Sequence, residues 1–138
     1  MKIITKVILT ASIFMSAHLA WAHHGDAGRF EEETTTIVGY VVGLQLINPH
    51  SLIILSVEGE NGEAETWQAE LGGPNQLTGR HGWNRATLVA GDEIYLTGRL
   101  LKSGEPFINL TERARIVKAA GCEQIYVSNS EPTNSLPC

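Results

Sequence analysis

After residue 33 the chain alternates between runs rich in β-branched and aromatic residues and short polar or glycine-rich turns. The runs TTTIVGYVVGLQLI (residues 34–47) and LIILSVEG (residues 52–59) are separated by Asn48-Pro49-His50-Ser51. Because Asn-Pro is a turn signal and proline cannot donate a hydrogen bond to a strand ladder, this segment predicts a turn between two strands. In AETWQAEL (residues 64–71) polar and apolar positions alternate, which predicts a third strand.

Glycine and proline positions refine this pattern. Gly39 and Gly43 lie inside the first run, where glycines fit the bends or bulges by which a small sheet curls into a barrel. After the third run, Pro74 suits the first turn of a helix, and Gly79 or Gly82 would end that helix after one or two turns. The pattern therefore predicts one short helix between strands.

Two further strands complete the predicted order. Residues 93–101 form the fourth, a Ser103-Gly104 turn follows, and PFINLTERARIV (residues 106–117) forms the fifth. Three strands, a short helix and two strands, with a curled first strand, match the five-stranded oligonucleotide/oligosaccharide-binding (OB) barrel. We predict an all-β protein with one short helix, folded as a small OB-like barrel. Alternation alone leaves another small barrel or a sandwich open.

The N-terminal segment predicts export. Lys2 and Lys6 flank the start of a short apolar stretch, and the segment ends in Ala20-Trp21-Ala22. This is the pattern of a secretory signal peptide, and the apolar stretch is shorter than the roughly 20 residues that cross a bilayer. We predict a signal peptide over residues 1–22, a periplasmic protein without a membrane span after its removal, and a mature chain that begins at His23.

Charge and cysteines narrow the class of protein further. The formal net charge is −5, and loss of the two leader lysines makes the mature chain more acidic, which argues against nucleic acid as a partner. We predict one barrel domain over residues 23–118 and a C-terminal tail over residues 119–138. Cys122 and Cys138 are the two cysteines, and in an exported chain they are expected to pair and close that tail. A redox pair or a thiolate metal site would normally have closer spacing.

Several short motifs together resemble a family of small exported bacterial proteins that is known only as a domain of unknown function. Their order along the chain carries the resemblance, and they extend over most of the predicted mature chain. The motifs are Ala22-His23-His24, Phe30, Asn48-Pro49-His50, Trp67, Gly73-Pro74-Asn75-Gln76-Leu77, Gly82-Trp83, and Gly91-Asp92 followed by Gly98. The resemblance implies an exported single-domain β protein and brings no known activity.

Four histidines remain after the predicted leader, and they suggest a metal site. A free amine and imidazole at His23 can bind one ion together, and a third nitrogen from His50 or His81 would complete a site suited to Cu(II). His24 would either add a further ligand or lie just outside the coordinating nitrogens, and Asp26 would orient an imidazole. The alternative is that the terminal histidines are solvated and that His50 only holds the Asn-Pro turn.

A second hypothesis assigns binding to an aromatic groove. Trp83 stands between Gly82 and Asn84 in an irregular segment, where its ring would stack on a ligand, and Arg80 and Arg85 would grip an anionic group. The alternative for these residues is a tryptophan that plugs one end of the barrel, with both arginines in solvent. No pattern of a hydrolase nucleophile or a phosphate-binding loop is present, so we predict a non-catalytic binding module. Its expected partner is a metal ion, a small molecule or an envelope protein, and copper is its only expected cofactor.

Overall fold

The fold is known from a computed structural model, which describes residues 28–135 and 137–138. Seven strands and one α-helix follow one another along the chain. They are β1 (Thr35–Gln45), β2 (Leu52–Glu58), β3 (Ala64–Glu70), α1 (Pro74–His81), β4 (Glu93–Leu100), β5 (Phe107–Asn109), β6 (Arg115–Lys118) and β7 (Glu123–Val127), with a 3₁₀ turn at Ala120–Cys122. Within this described part, no helix has the length and apolar content that a membrane crossing needs.

Five strands close into a barrel, which confirms the predicted fold class. The strand order β1-β2-β3-β5-β4 returns to β1, with β3 and β5 parallel and the other neighbours antiparallel. Strand β1 serves two partners, because its first half pairs with β4 and its second half pairs with β2. A register shift between Val41 and Gly43 marks a bulge at the predicted place.

Gly39 marks the bend where β1 changes partners. A Cβ at this position would lie 3.0 Å from Cγ2 of Val57 and 3.2 Å from the Ser56 carbonyl oxygen on β2. A side chain here would push the two strands apart, so glycine lets the sheet curl closed.

The fifth strand is shorter than predicted, and this is a correction. Residues 106–117 form two strands, β5 and β6, separated by an irregular segment. In that segment the Asn109 side chain accepts hydrogen bonds from the Thr111 amide and hydroxyl, and Arg113 has φ +48°. A left-handed residue and an Asx-type turn both interrupt a strand ladder.

The sheet also extends beyond residue 118, where the barrel was expected to end. Strand β7 pairs with β6, and its Tyr126 is buried in the core and donates a hydrogen bond to the Leu110 carbonyl at 3.0 Å. Burial raises the pKa of the Tyr126 hydroxyl. Cys122 and Cys138 form a disulfide, as predicted, and this bond encloses β7 together with the segment that follows it.

The core fills the barrel interior with alternate residues of every strand. Ile53 and Leu55 from β2, Leu96 from β4, Ile108 from β5 and Ile116 from β6 are essentially inaccessible to solvent. Helix α1 begins at Pro74, ends before the left-handed Gly82 and contributes the buried Leu77, as its glycine and proline positions predicted.

Candidate functional site

The predicted metal ligands His23 and His24, with Asp26, lie outside the described residues, which begin at Gly28. Two predicted ligands, His50 and His81, lie within them. The surroundings of these two imidazoles differ.

His50 lies in the loop between β1 and β2, directly after a cis Asn48–Pro49 peptide bond. The next residue ties this loop to the end of β3, because the Ser51 amide donates to the Gly72 carbonyl and the Ser51 carbonyl accepts from the Leu71 amide. His50 is thus held beside Glu70, the last residue of β3, while 52% of its side chain stays exposed.

The contact between His50 and Glu70 decides how the imidazole is presented. Nδ1 of His50 lies 2.8 Å from Oε1 of Glu70. A carboxylate oxygen only accepts, so the facing Nδ1 carries the proton and the lone pair of a neutral ring lies on Nε2. Many metal-binding histidines have this arrangement, in which a carboxylate fixes the tautomer and raises the basicity of the other nitrogen.

The first described residues of the chain lie against β5 and the end of β4. Phe30 forms a bridge with Leu101, and its ring lies 6.2 Å from that of Phe107 on β5. Strand β5 pairs directly with β3, where Asn109 opposes Glu70. The described chain therefore begins near the strand that pairs with β3.

His81 has different surroundings. Its ring is half-buried and packs 4.9 Å from the ring of Tyr126. Burial, with a smaller contribution from the positive charge of Arg80, lowers the pKa of His81. No carboxylate orients this imidazole within the described residues.

The two histidines lie at opposite ends of α1. A Cβ on Gly73, just before the helix, would lie 3.1 Å from the Pro49 carbonyl oxygen, which places the His50 loop at the helix N-terminus. His81 is the last residue of the same helix, seven residues after Pro74. With a rise of 1.5 Å per residue, the two ends of the helix are roughly 10 Å apart. The described residues contain no group of three potential metal ligands.

Trp83 does not line an open groove in the part of the chain that the structure describes. The Trp83 ring is 3% exposed, packs edge-on against Tyr126 and donates from Nε1 to the Ile125 carbonyl at 3.1 Å. Because Trp83 belongs to the buried core cluster, its ring offers no stacking surface. Arg80 is exposed and donates to Asn129 at 2.6 Å, and Arg85 is exposed.

A model of the family described as a family of unknown function (DUF6152) matches residues 11–107, well over half of the 138-residue chain. The chain belongs to the DUF6152 family. No curated protein and no solved structure gives a significant match. The predicted resemblance to a domain of unknown function is thereby confirmed.

The part of the chain that matches DUF6152 contains the candidate site. It includes His50, Glu70 and α1 and ends at Phe107, so β6, β7 and the disulfide lie beyond it. Glu70 is a site residue that sequence reasoning missed. The alternation of polar and apolar residues in β3 indicated on which face of the sheet Glu70 lies. Only the pairing of Leu52 with Glu70 reveals that Glu70 lies next to the His50 loop.

Proposed function

We propose that this DUF6152 protein is an exported, non-catalytic module that binds one Cu(II) ion between the mature N-terminus at His23 and the imidazole of His50. The observation that carries the proposal is the 2.8 Å contact of Glu70 with Nδ1 of His50, because it leaves Nε2 of an exposed ring as the nitrogen that can accept a metal. The proximity of Phe30 to β5, the neighbour of β3, supports His23 as the second contributor.

The donor chemistry favours copper among the divalent ions. A terminal amine and two imidazoles are nitrogen donors of the kind that suit Cu(II) in a square or tetragonal site. Copper also stands at the top of the affinity order for such ligands. His24 lies next to the ion in this proposal, and Asp26 orients one of the N-terminal imidazoles.

Export is part of the proposal, since the amine becomes available only when the leader is removed after Ala22. The N-terminal pattern of residues 1–22 supports this, and the Cys122–Cys138 disulfide is consistent with an oxidising compartment such as the periplasm. The groove hypothesis lacks such support, because its central ring is buried.

Copper titration of the processed protein tests the proposal. Protein beginning at His23 and protein carrying one extra N-terminal residue are titrated with Cu(II) against a competing chelator, since an amide nitrogen is a far poorer ligand than a free amine. We expect one tight site that weakens strongly on extension. Replacing even a residue that only orients a ligand costs about 10- to 100-fold in metal affinity, so His50→Ala should lose at least that much.

Two variants serve as comparisons. Glu70→Gln keeps the shape of the side chain and removes the carboxylate, so it should weaken copper binding by about 10- to 100-fold. His81→Ala changes an imidazole at the other end of α1 and should leave the affinity unchanged. Equal affinities for the processed and extended proteins, or a loss with His81→Ala and none with His50→Ala, would refute the proposed site.

A further inference from the structure

The outer face of β1 is apolar where a barrel surface is ordinarily polar. Val38, Tyr40 and Val42 are 42%, 53% and 56% exposed. Tyr95 on β4, half-buried, lies opposite Val38. Alternation in antiparallel sheets normally gives such outward positions to polar residues. Together these four residues form the apolar face.

The chain covers other parts of the outer surface with its own segments. The segment after β7 lies along β6, where Asn134 bonds to Thr34 and accepts from Arg115, and the disulfide fastens its end. Arg115 on β6, which this segment contacts, is 6% exposed. Within residues 28–135, no contact of this kind covers the apolar face, which stands open beside a cleft between β1 and β2.

The rim of the apolar face is acidic. Glu58 and Glu93 line the same cleft as Val38 and Tyr40. Glu60 and Glu63 in the β2–β3 turn, which follows Glu58, are also exposed, and residues 37–79 contain no lysine or arginine. The lysine on the nearest neighbouring strand, Lys118, is occupied by Asp92, with its Nζ 3.1 Å from Oδ2.

From this pairing of charge and apolar surface we infer that the apolar face docks a partner protein whose binding segment presents apolar side chains flanked by lysine or arginine. Exposed apolar surface with a polar rim is a mark of protein interaction sites, and charge complementarity selects the partner. A second copy in a symmetric contact would bring like charges together, and anionic lipid or nucleic acid would meet the same repulsion. The inference does not rest on copper binding.

Selection of peptides from a random phage library on the processed protein tests this inference. We expect the enriched peptides to combine aromatic or aliphatic residues with lysine or arginine. Synthetic copies should bind the wild type and lose about tenfold or more in affinity with the Tyr40→Ser/Val42→Ser double variant. Glu58→Gln/Glu93→Gln should weaken binding and reduce its dependence on salt.

Two control variants make the same kinds of substitution outside the apolar face and its acidic rim. Ile47→Ser alters an exposed apolar residue beyond the end of β1, and Glu105→Gln alters an exposed acid in the β4–β5 turn. Both should bind the peptides like the wild type. Amide chemical-shift changes on peptide addition should fall on β1 and the start of β4, a readout that needs no variant.

Three results would overturn the inference. The first is enrichment of peptides that lack lysine and arginine. The second is a Tyr40→Ser/Val42→Ser variant that keeps the wild-type circular dichroism and binds the peptides with the affinity of the wild type. The third is a set of amide chemical-shift changes confined to another surface. Self-association through β1, detected by sedimentation and abolished in that variant, would identify a second copy as the occupant and would equally overturn it.

Discussion

The burial of Trp83 makes a prediction about stability that separates a core residue from a ligand platform. The ring is 3% exposed and contacts Tyr126, so Trp83→Ala removes a large buried side chain and leaves a cavity. Substitutions of this kind cost about 3–5 kcal/mol. Trp83→Phe keeps most of the ring but loses the Nε1 hydrogen bond to the Ile125 carbonyl, which should cost about 1–3 kcal/mol.

Urea unfolding followed by circular dichroism measures both costs as changes in the free energy of unfolding. Arg85→Ala is the matched control, because Arg85 is exposed in the same segment and should change stability by no more than about 0.5 kcal/mol. Trp83→Ala with a stability equal to that of Arg85→Ala would refute the burial of the ring and restore Trp83 as a surface residue.

Three further predictions concern charge and the disulfide. Hydrogen bonds from the Val89 amide and, with a smaller effect, from Lys118 lower the pKa of Asp92. The ionised carboxylate therefore stabilises the fold fully above the ordinary pKa of 3.8, and this stabilisation is lost as the pH falls below 3.8. In urea unfolding, the stability advantage of wild type over Asp92→Asn should shrink between neutral pH and about pH 3. Burial lowers the pKa of His81, so as the pH falls the unfolded chain takes up a proton at His81 at a higher pH than the folded protein does. Wild type should therefore lose stability relative to His81→Gln as the pH falls below 6.5, and a gain in stability would contradict the prediction. The Cys122→Ser/Cys138→Ser variant opens a loop with a sequence separation of 16 residues. It should lose about 3 kcal/mol of stability, measured by the same method, and no loss would show that the disulfide does not stabilise the strand it encloses.

Local signals in the sequence predicted much of the fold. Gly39 and Gly43 indicated the curl of β1, and Pro74 and Gly82 indicated the bounds of α1. The break between β5 and β6 carries no glycine or proline, because Asn109 and the left-handed Arg113 make it. Such a break depends on tertiary packing, which alternation does not reveal.

The candidate site was only partly predictable for the same kind of reason. His50 stood out as the histidine of an Asn-Pro turn, but Glu70 is 20 positions away along the chain and meets it only through the register of β2 and β3. The burial of Trp83 depends equally on a distant contact, with the carbonyl of Ile125 on β7. Strand β7 itself was expected to be tail, because its apolar residues lie between polar segments.

The central claim is that one copper ion is held jointly by the N-terminus at His23 and by His50. A double-mutant cycle of Cu(II) affinity tests it most directly, with N-terminal extension as one change and His50→Ala as the other. If both groups bind the same ion, His50→Ala should cost much affinity in the processed protein and little in the extended protein, where the site is already broken. Equal losses from His50→Ala in the two backgrounds would mean that the two groups act independently and would contradict the shared site.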